Sequence, residues 1–121
     1  MNPNPVLAAV DDLMFSSRIS TAAKGVGAHV TFTRSVDAVL AAARATPPPT
    51  LVILDLNSAR VKPLEIVAAL KADPALARIA TVGFVSHVDT ATIEAARRAG
   101  VDRVLARSAF VEQLPRLLEG R

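Results

Sequence analysis

The sequence predicts an α/β domain in which one parallel five-stranded sheet carries helices on both faces, in three layers. Three observations carry that expectation. Short apolar runs rich in branched residues alternate with stretches whose apolar residues recur at helical spacing. The alternation repeats five times, and strands separated by helices pair as parallel crossover units. Runs such as Leu51-Val52-Ile53-Leu54 are also apolar without a break, which suits strands covered on both sides.

The elements follow in order. Val6–Val10 is the first strand, and Phe15, Ile19 and Ala22 form the first helical stripe, with Gly25 and Gly27 able to stop it. His29–Phe32 is the second strand. Val36, Leu40 and Ala43 form the second stripe, ended by Pro47-Pro48-Pro49. After the third strand, Leu51–Leu54, comes the stripe Leu64, Val67 and Leu70. Pro63 stands in its first turn, where a missing N–H costs nothing. Thr81–Val85 is the fourth strand and Ile93, Ala96 and Gly100 a weaker fourth stripe. Asp89 or Thr90 can cap that helix, and Gly100 can close it in a left-handed conformation. Val104–Ala106 is the fifth strand, followed by the stripe Phe110, Leu114, Leu117 and Leu118. Pro115 falls inside this last helix and is expected to bend or shorten it. No repeat, low-complexity segment or linker interrupts the pattern, so residues 1–121 read as a single domain with its core at about 5–119.

Composition narrows the function. At 121 residues and 51% hydrophobic the chain can fill one core and leaves no room for a second domain. No stretch approaches the roughly 18–20 consecutive apolar residues that cross a membrane. Met1 to Pro5 lacks the start of a secretory signal, so a soluble, cytoplasmic protein is expected. The absence of cysteine excludes disulfides, thiolate metal sites and cysteine nucleophiles, and the two histidines make no zinc pattern. The net charge is +3, but the basic residues are scattered and aromatics are only 3%. Direct nucleic-acid binding is therefore not expected.

In open parallel sheets, ligands bind outside the carboxyl ends of the strands. The residues just after each apolar run are thus the informative ones. They are Asp11-Asp12, then Asp55 and Asn57, then Ser86 and His87, then Arg107 and Ser108. The second strand delivers Thr33 and Arg34, to which no role is assigned. Carboxylates converging at one sheet edge repel one another unless a cation or proton joins them. Oxygen donors suit a hard ion such as Mg²⁺, which usually takes one or two protein carboxylates. A hydroxyl and a guanidinium from the next strand ends could face an anion held there. Together these groups describe a phosphoryl-transfer site.

Val10-Asp11-Asp12, Leu51-Val52-Ile53-Leu54-Asp55, Ser86-His87 and Gly100-Val101-Asp102-Arg103-Val104-Leu105-Ala106-Arg107 stand in the order and spacing of another family. In these segments the chain resembles the CheY-like receiver domains of bacterial response regulators, over nearly its whole length. The resemblance implies the (βα)5 flavodoxin-like receiver fold. It implies that Asp11 and Asp12 hold Mg²⁺, that Asp55 is the phosphoacceptor and a further metal ligand, and that the backbone carbonyl of Asn57 completes the metal shell. Ser86 matches the hydroxyl residue that moves toward the phosphoryl group, and Arg107 falls where the family has a lysine. The implied partners are a histidine kinase or phosphotransfer protein and a downstream protein on the face of the fourth helix, fifth strand and fifth helix. Catalysis would be limited to self-catalysed phosphoryl transfer and hydrolysis at Asp55. Outside Asp11, Asp12 and Asp55 the chain is strongly basic, which points to an acidic partner surface.

Several positions depart from the pattern. Arg107 keeps the charge of the lysine but not its shape, in a chain with 11 Arg and 3 Lys. Val104 replaces the usual aromatic switch residue, and Ser108 the usual proline, so no cis bond is expected there. Ser58-Ala59 replaces Met-Pro, and Lys62-Pro63 or its neighbours replace a glycine, so this loop is expected to follow another path. His87 could narrow access for a phosphodonor, or be a loop histidine without a role. The alternative function is a pseudo-receiver, a phosphorylation-independent protein interaction module; Arg107, if paired with Asp55, would there supply the cation in place of metal. A flavodoxin-like nucleotide binder is disfavoured, because the acidic loop after the first strand repels phosphate. An independent metabolic enzyme would need a further base and nucleophile, and none is apparent.

Overall fold

The branched, unbroken apolar runs become the strands of one sheet. The computed structural model describes residues 5–120. Strands β1 (Pro5–Ala9), β2 (His29–Phe32), β3 (Leu51–Asp55), β4 (Ala80–Val85) and β5 (Arg103–Ala106) alternate with five helices. These are α1 (Leu13–Val26), α2 (Val36–Ala43), α3 (Pro63–Ala72), α4 (Thr90–Ala99) and α5 (Arg107–Leu118). The strand order is β2-β1-β3-β4-β5 and every pair is parallel, as the sequence predicts. The register pairs Leu7 with Val52 and Ile53 with Val82, so β3 lies at the centre and all of it is buried.

Side chains alternate across the sheet with the period of a strand. Val6 and Ala8 join Ile53, Val82 and Phe84 in a core completed by Phe15 and Ile19 of α1 and Phe110 and Leu114 of α5. Leu7 and Ala9 face the other way, into a core with Val39 of α2, Ile66 and Leu70 of α3, and Ala96 of α4. Three layers result, with α1 and α5 on one face and α2, α3 and α4 on the other.

The details correct several expectations. The first stripe buries Ala23 and leaves Ala22 only partly covered, while Val39 and Ala43 anchor α2, with Val36 and Leu40 as partly exposed flanks. Gly27 closes α1 at φ 73°, and Gly25 stays inside the helix. Helix α2 ends at Ala43, before the proline run reaches it. Pro115 does not end α5, which runs on to Leu118. Burial of Leu114, Leu117 and Leu118 holds the last turn despite the lost hydrogen bond.

The amino-terminal edge of β4 and β5 is tied by a reciprocal network. Asp102 Oδ2 accepts the backbone N–H of Thr81 at 2.8 Å and its hydroxyl at 3.1 Å. The Thr81 hydroxyl oxygen in turn accepts the Asp102 N–H at 2.9 Å. Lys71 Nζ adds an ion pair at 3.9 Å to the other carboxylate oxygen.

Candidate functional site

The carboxyl edge of the sheet gathers the residues singled out in the sequence. Asp55 is the last residue of β3 and only 5% exposed. Its Oδ1 accepts the backbone N–H of Asn57 at 3.1 Å, and among the described residues no cation lies within ion-pair distance of it. Burial raises its pKa above the usual carboxylate value of 3.8. The Asn57 N–H and the Arg107 charge oppose that rise, while Asp12 and Asp11 add to it.

Asp11 and Asp12 follow β1, and each is already engaged. Asp12 Oδ1 caps α1 by accepting the N–H of Phe15 at 3.1 Å. Asp11 lies between two guanidiniums, with Arg34 Nε at 3.7 Å and Arg60 Nε at 3.6 Å. Asp11 and Asp12 both act electrostatically on Asp55 across this edge. Among the described residues no three acidic or histidine side chains form a group able to hold a metal.

Metal binding through side chains and water is nonetheless compatible with this donor set. The donors are carboxylate and carbonyl oxygens, and among the described residues no hydrogen bond reaches the Asn57 carbonyl. A hard divalent ion that keeps several waters needs only one or two carboxylates directly.

The Asn57 side chain is the hub that sequence reasoning missed. Its Nδ2 donates to Asp89 Oδ2 at 2.9 Å, and its Oδ1 accepts the Ser86 N–H at 2.8 Å. Arg107 Nη2 reaches the same oxygen at 3.4 Å. Asp89 also caps α4 by accepting the N–H of Thr92 at 3.1 Å. Bonds from the Thr92 side chain and backbone, and from Asn57, hold the Asp89 pKa below its usual value against slight desolvation. One amide thus joins the β3–α3 loop, the end of β4 and the start of α4. An Asn two residues after Asp55 was visible in the sequence, but only as a carbonyl.

Arg107 begins α5 and is exposed. Its guanidinium lies over the Phe15 ring at 5.8 Å, besides touching Asn57. Among the described residues it makes no ion pair with Asp55. Below the pocket, Phe84 stacks on Phe15 and on Phe110, each with centroids 4.6 Å apart. The aromatic floor thus ties α1, β4 and α5 together.

The altered loop positions resolve individually. Lys62 itself takes the left-handed conformation, φ 51° and ψ 61°, so the loop keeps a positive-φ residue at the expense of strain. Ser58 helps to shape the turn, its hydroxyl accepting the Val61 N–H at 3.4 Å. The described residues contain one cis bond, at Thr46–Pro47, so the bond before Ser108 is trans, as expected. Val104 is half-buried against the α2–α3–α4 core and pairs with Gly83. An alanine Cβ at Gly83 would fall 2.5 Å from Leu56 Cδ1, so this glycine makes room for the residue after Asp55. His87 is exposed. Thr33, left without a role, is buried, and its hydroxyl has no partner among the described residues.

No family model matches the chain, and no curated protein matches it in sequence. Solved structures do match in fold. The phosphorylated cyanobacterial phytochrome response regulator RcpA is 24% identical with a TM-score of 0.78, over 98% of this chain and 90% of that one. A response regulator from Hahella chejuensis is 18% identical at a TM-score of 0.80, over 96% of this chain and 92% of that one. The receiver domain of the sensor histidine kinase PA1611 from Pseudomonas aeruginosa holds a magnesium ion in its active-site cleft. It is 18% identical at a TM-score of 0.80, over 98% of this chain and 96% of that one. The chain therefore has the receiver-domain fold. No helix among the described residues is long and apolar enough to cross a membrane.

Proposed function

We propose that this chain is a cytoplasmic receiver of two-component signalling that accepts a phosphoryl group on Asp55. The observation that carries the reading is a buried carboxylate at the end of the central strand that, among the described residues, makes no ion pair and feels the charges of Arg107, Asp12 and Asp11. The donor is a phosphohistidine of a histidine kinase or phosphotransfer protein. An ionised Asp55 oxygen attacks phosphorus, and the phosphorus–nitrogen bond of the donor breaks. The imidazole keeps the electron pair, and Asp55 becomes an acyl phosphate. Mg²⁺ bound by Asp11, Asp12, Asp55 and the Asn57 carbonyl would neutralise phosphoryl charge during transfer.

The chain's own residues supply the switch. Asn57 Oδ1 holds the Ser86 N–H at 2.8 Å and Arg107 Nη2 at 3.4 Å. The phosphoryl oxygens of Asp55 compete for both donors, drawing Ser86 and the loop after β4 inward. Because Asn57 also holds Asp89, that pull reaches the start of α4. The readout runs through loop and helix repositioning on the α4–β5–α5 face, where a downstream protein binds. Val104, half-buried and aliphatic, has no ring to move.

The test is intact-mass spectrometry after incubation with a small phosphodonor and Mg²⁺. A labile adduct is expected on the wild type, absent without Mg²⁺ and absent in Asp55→Asn. Its rate rises with pH through the elevated pKa of Asp55, because only the ionised carboxylate attacks. If Arg107→Lys forms an adduct and the wild type does not, Arg107 is the obstacle. No adduct on either protein would overturn the switch in favour of a phosphorylation-independent interaction module.

A further inference from the structure

Arg34 and Arg60 are the charged residues at the pocket that the proposed chemistry leaves unused. Arg34 lies between β2 and α2, and Arg60 between β3 and α3. Two loops remote in sequence thus bring guanidiniums to opposite oxygens of one carboxylate, Asp11 Oδ1 at 3.7 Å and Oδ2 at 3.6 Å. Neither arginine has another acidic partner among the described residues. Asp11 is the less exposed member of each pair, its side chain 28% accessible against 62% for Arg34 and 78% for Arg60.

We propose that Arg34 and Arg60 form a cationic clamp on Asp11 that competes with a divalent cation and sets the pocket's metal affinity. The inference rests on the metal-dependent reading above. Guanidinium stays protonated at all working pH values, so two of them on one carboxylate turn a local charge of −1 into +1. A divalent ion approaching Asp11 must displace at least one arginine or bind against its repulsion. Both arginines are well exposed, so they can swing away at modest cost. A metal that takes Asp11 frees two guanidiniums at the mouth of the pocket.

The test compares metal binding by the wild type and Arg34→Gln/Arg60→Gln. Mg²⁺ is titrated by calorimetry and Mn²⁺ by the loss of its free-ion spin-resonance signal. The double variant is expected to bind about three- to tenfold more tightly, the sum of two exposed ion pairs. Arg44→Gln/Arg98→Gln serves as the control. It removes the same charge from pairs with Asp73 and Glu94, outside the pocket, and should stay within about twofold of wild type. Equal constants for wild type and clamp variant, or equal tightening by the control, would overturn the clamp alone. Absence of metal binding in all three proteins would overturn the metal-dependent reading, and the clamp with it.

Discussion

Asp102 and Asp55 stand at opposite ends of the same sheet, and the chain treats them in opposite ways. Asp102 precedes β5 and is supplied with a backbone N–H, a hydroxyl and an ammonium. Asp55 ends β3, is buried where Asp102 is exposed, and among the described residues receives one backbone N–H and no ion pair. A carboxylate placed for stability is saturated with donors. Asp55 is left short of them, which keeps its charge costly and, on the proposed function, available to a phosphoryl group. The contrast extends to the backbone. The site end carries Lys62 in a left-handed conformation, while the positive-φ positions elsewhere in the described chain are glycines.

Three variants break or sharpen that contrast. The largest effect is expected from Asp102→Ala, which strips the acceptor from a buried Thr81 N–H. It should lower unfolding free energy by about 2 kcal/mol in urea melts followed by circular dichroism. Asp102→Asn, which keeps an acceptor, should recover most of that loss. A neutral result for Asp102→Ala would erase the distinction between the two ends.

Asp55→Asn should act in the other direction, stabilising by about 1 kcal/mol near neutral pH. The sign follows from its raised pKa. The folded state favours the protonated carboxyl, so the wild type loses stability as pH rises from the unfolded value of Asp55 through the folded one. The advantage of the variant therefore appears across that window and vanishes in acid below it. An advantage independent of pH would show that burial of charge at Asp55 is not its source.

The smallest effect belongs to Lys62→Gly. Relief of the left-handed side chain, less the entropy of an added glycine, should gain about 0.5 kcal/mol. A loss would place Lys62 among residues that hold the loop by its side chain.

Much of this arrangement was legible in the sequence. Apolar runs and helical stripes placed all five strands and five helices, and the residues after the runs marked the site edge. What escaped was the contact made across the edge by side chains with no periodic signature. Arg34 was read as nondescript because its partner, Asp11, belongs to another strand end. Asn57 was read as a backbone carbonyl because its side-chain partners, Ser86 and Asp89, lie about thirty residues on. The stripe of α1 missed only at Ala22, where Ala23 is buried instead, and that of α2 at Val36 and Leu40, which flank the buried Val39. Lys62 escaped because non-glycine residues seldom take positive φ.

The strand order has a consequence for how the chain reaches this state. β1 is flanked by β2 and β3, and it joins β3 through pairs such as Val6 with Leu51. The buried centre thus closes only when the loop between those strands is spent. Once β3 is in place, β4 and β5 each add to the edge left by the strand before, through a local crossover. Pairing β1 with β3 thus spans the longest stretch of chain in the sheet and carries its largest loop-closure cost, and a chain cut before β3 would leave one edge of β1 unpaired.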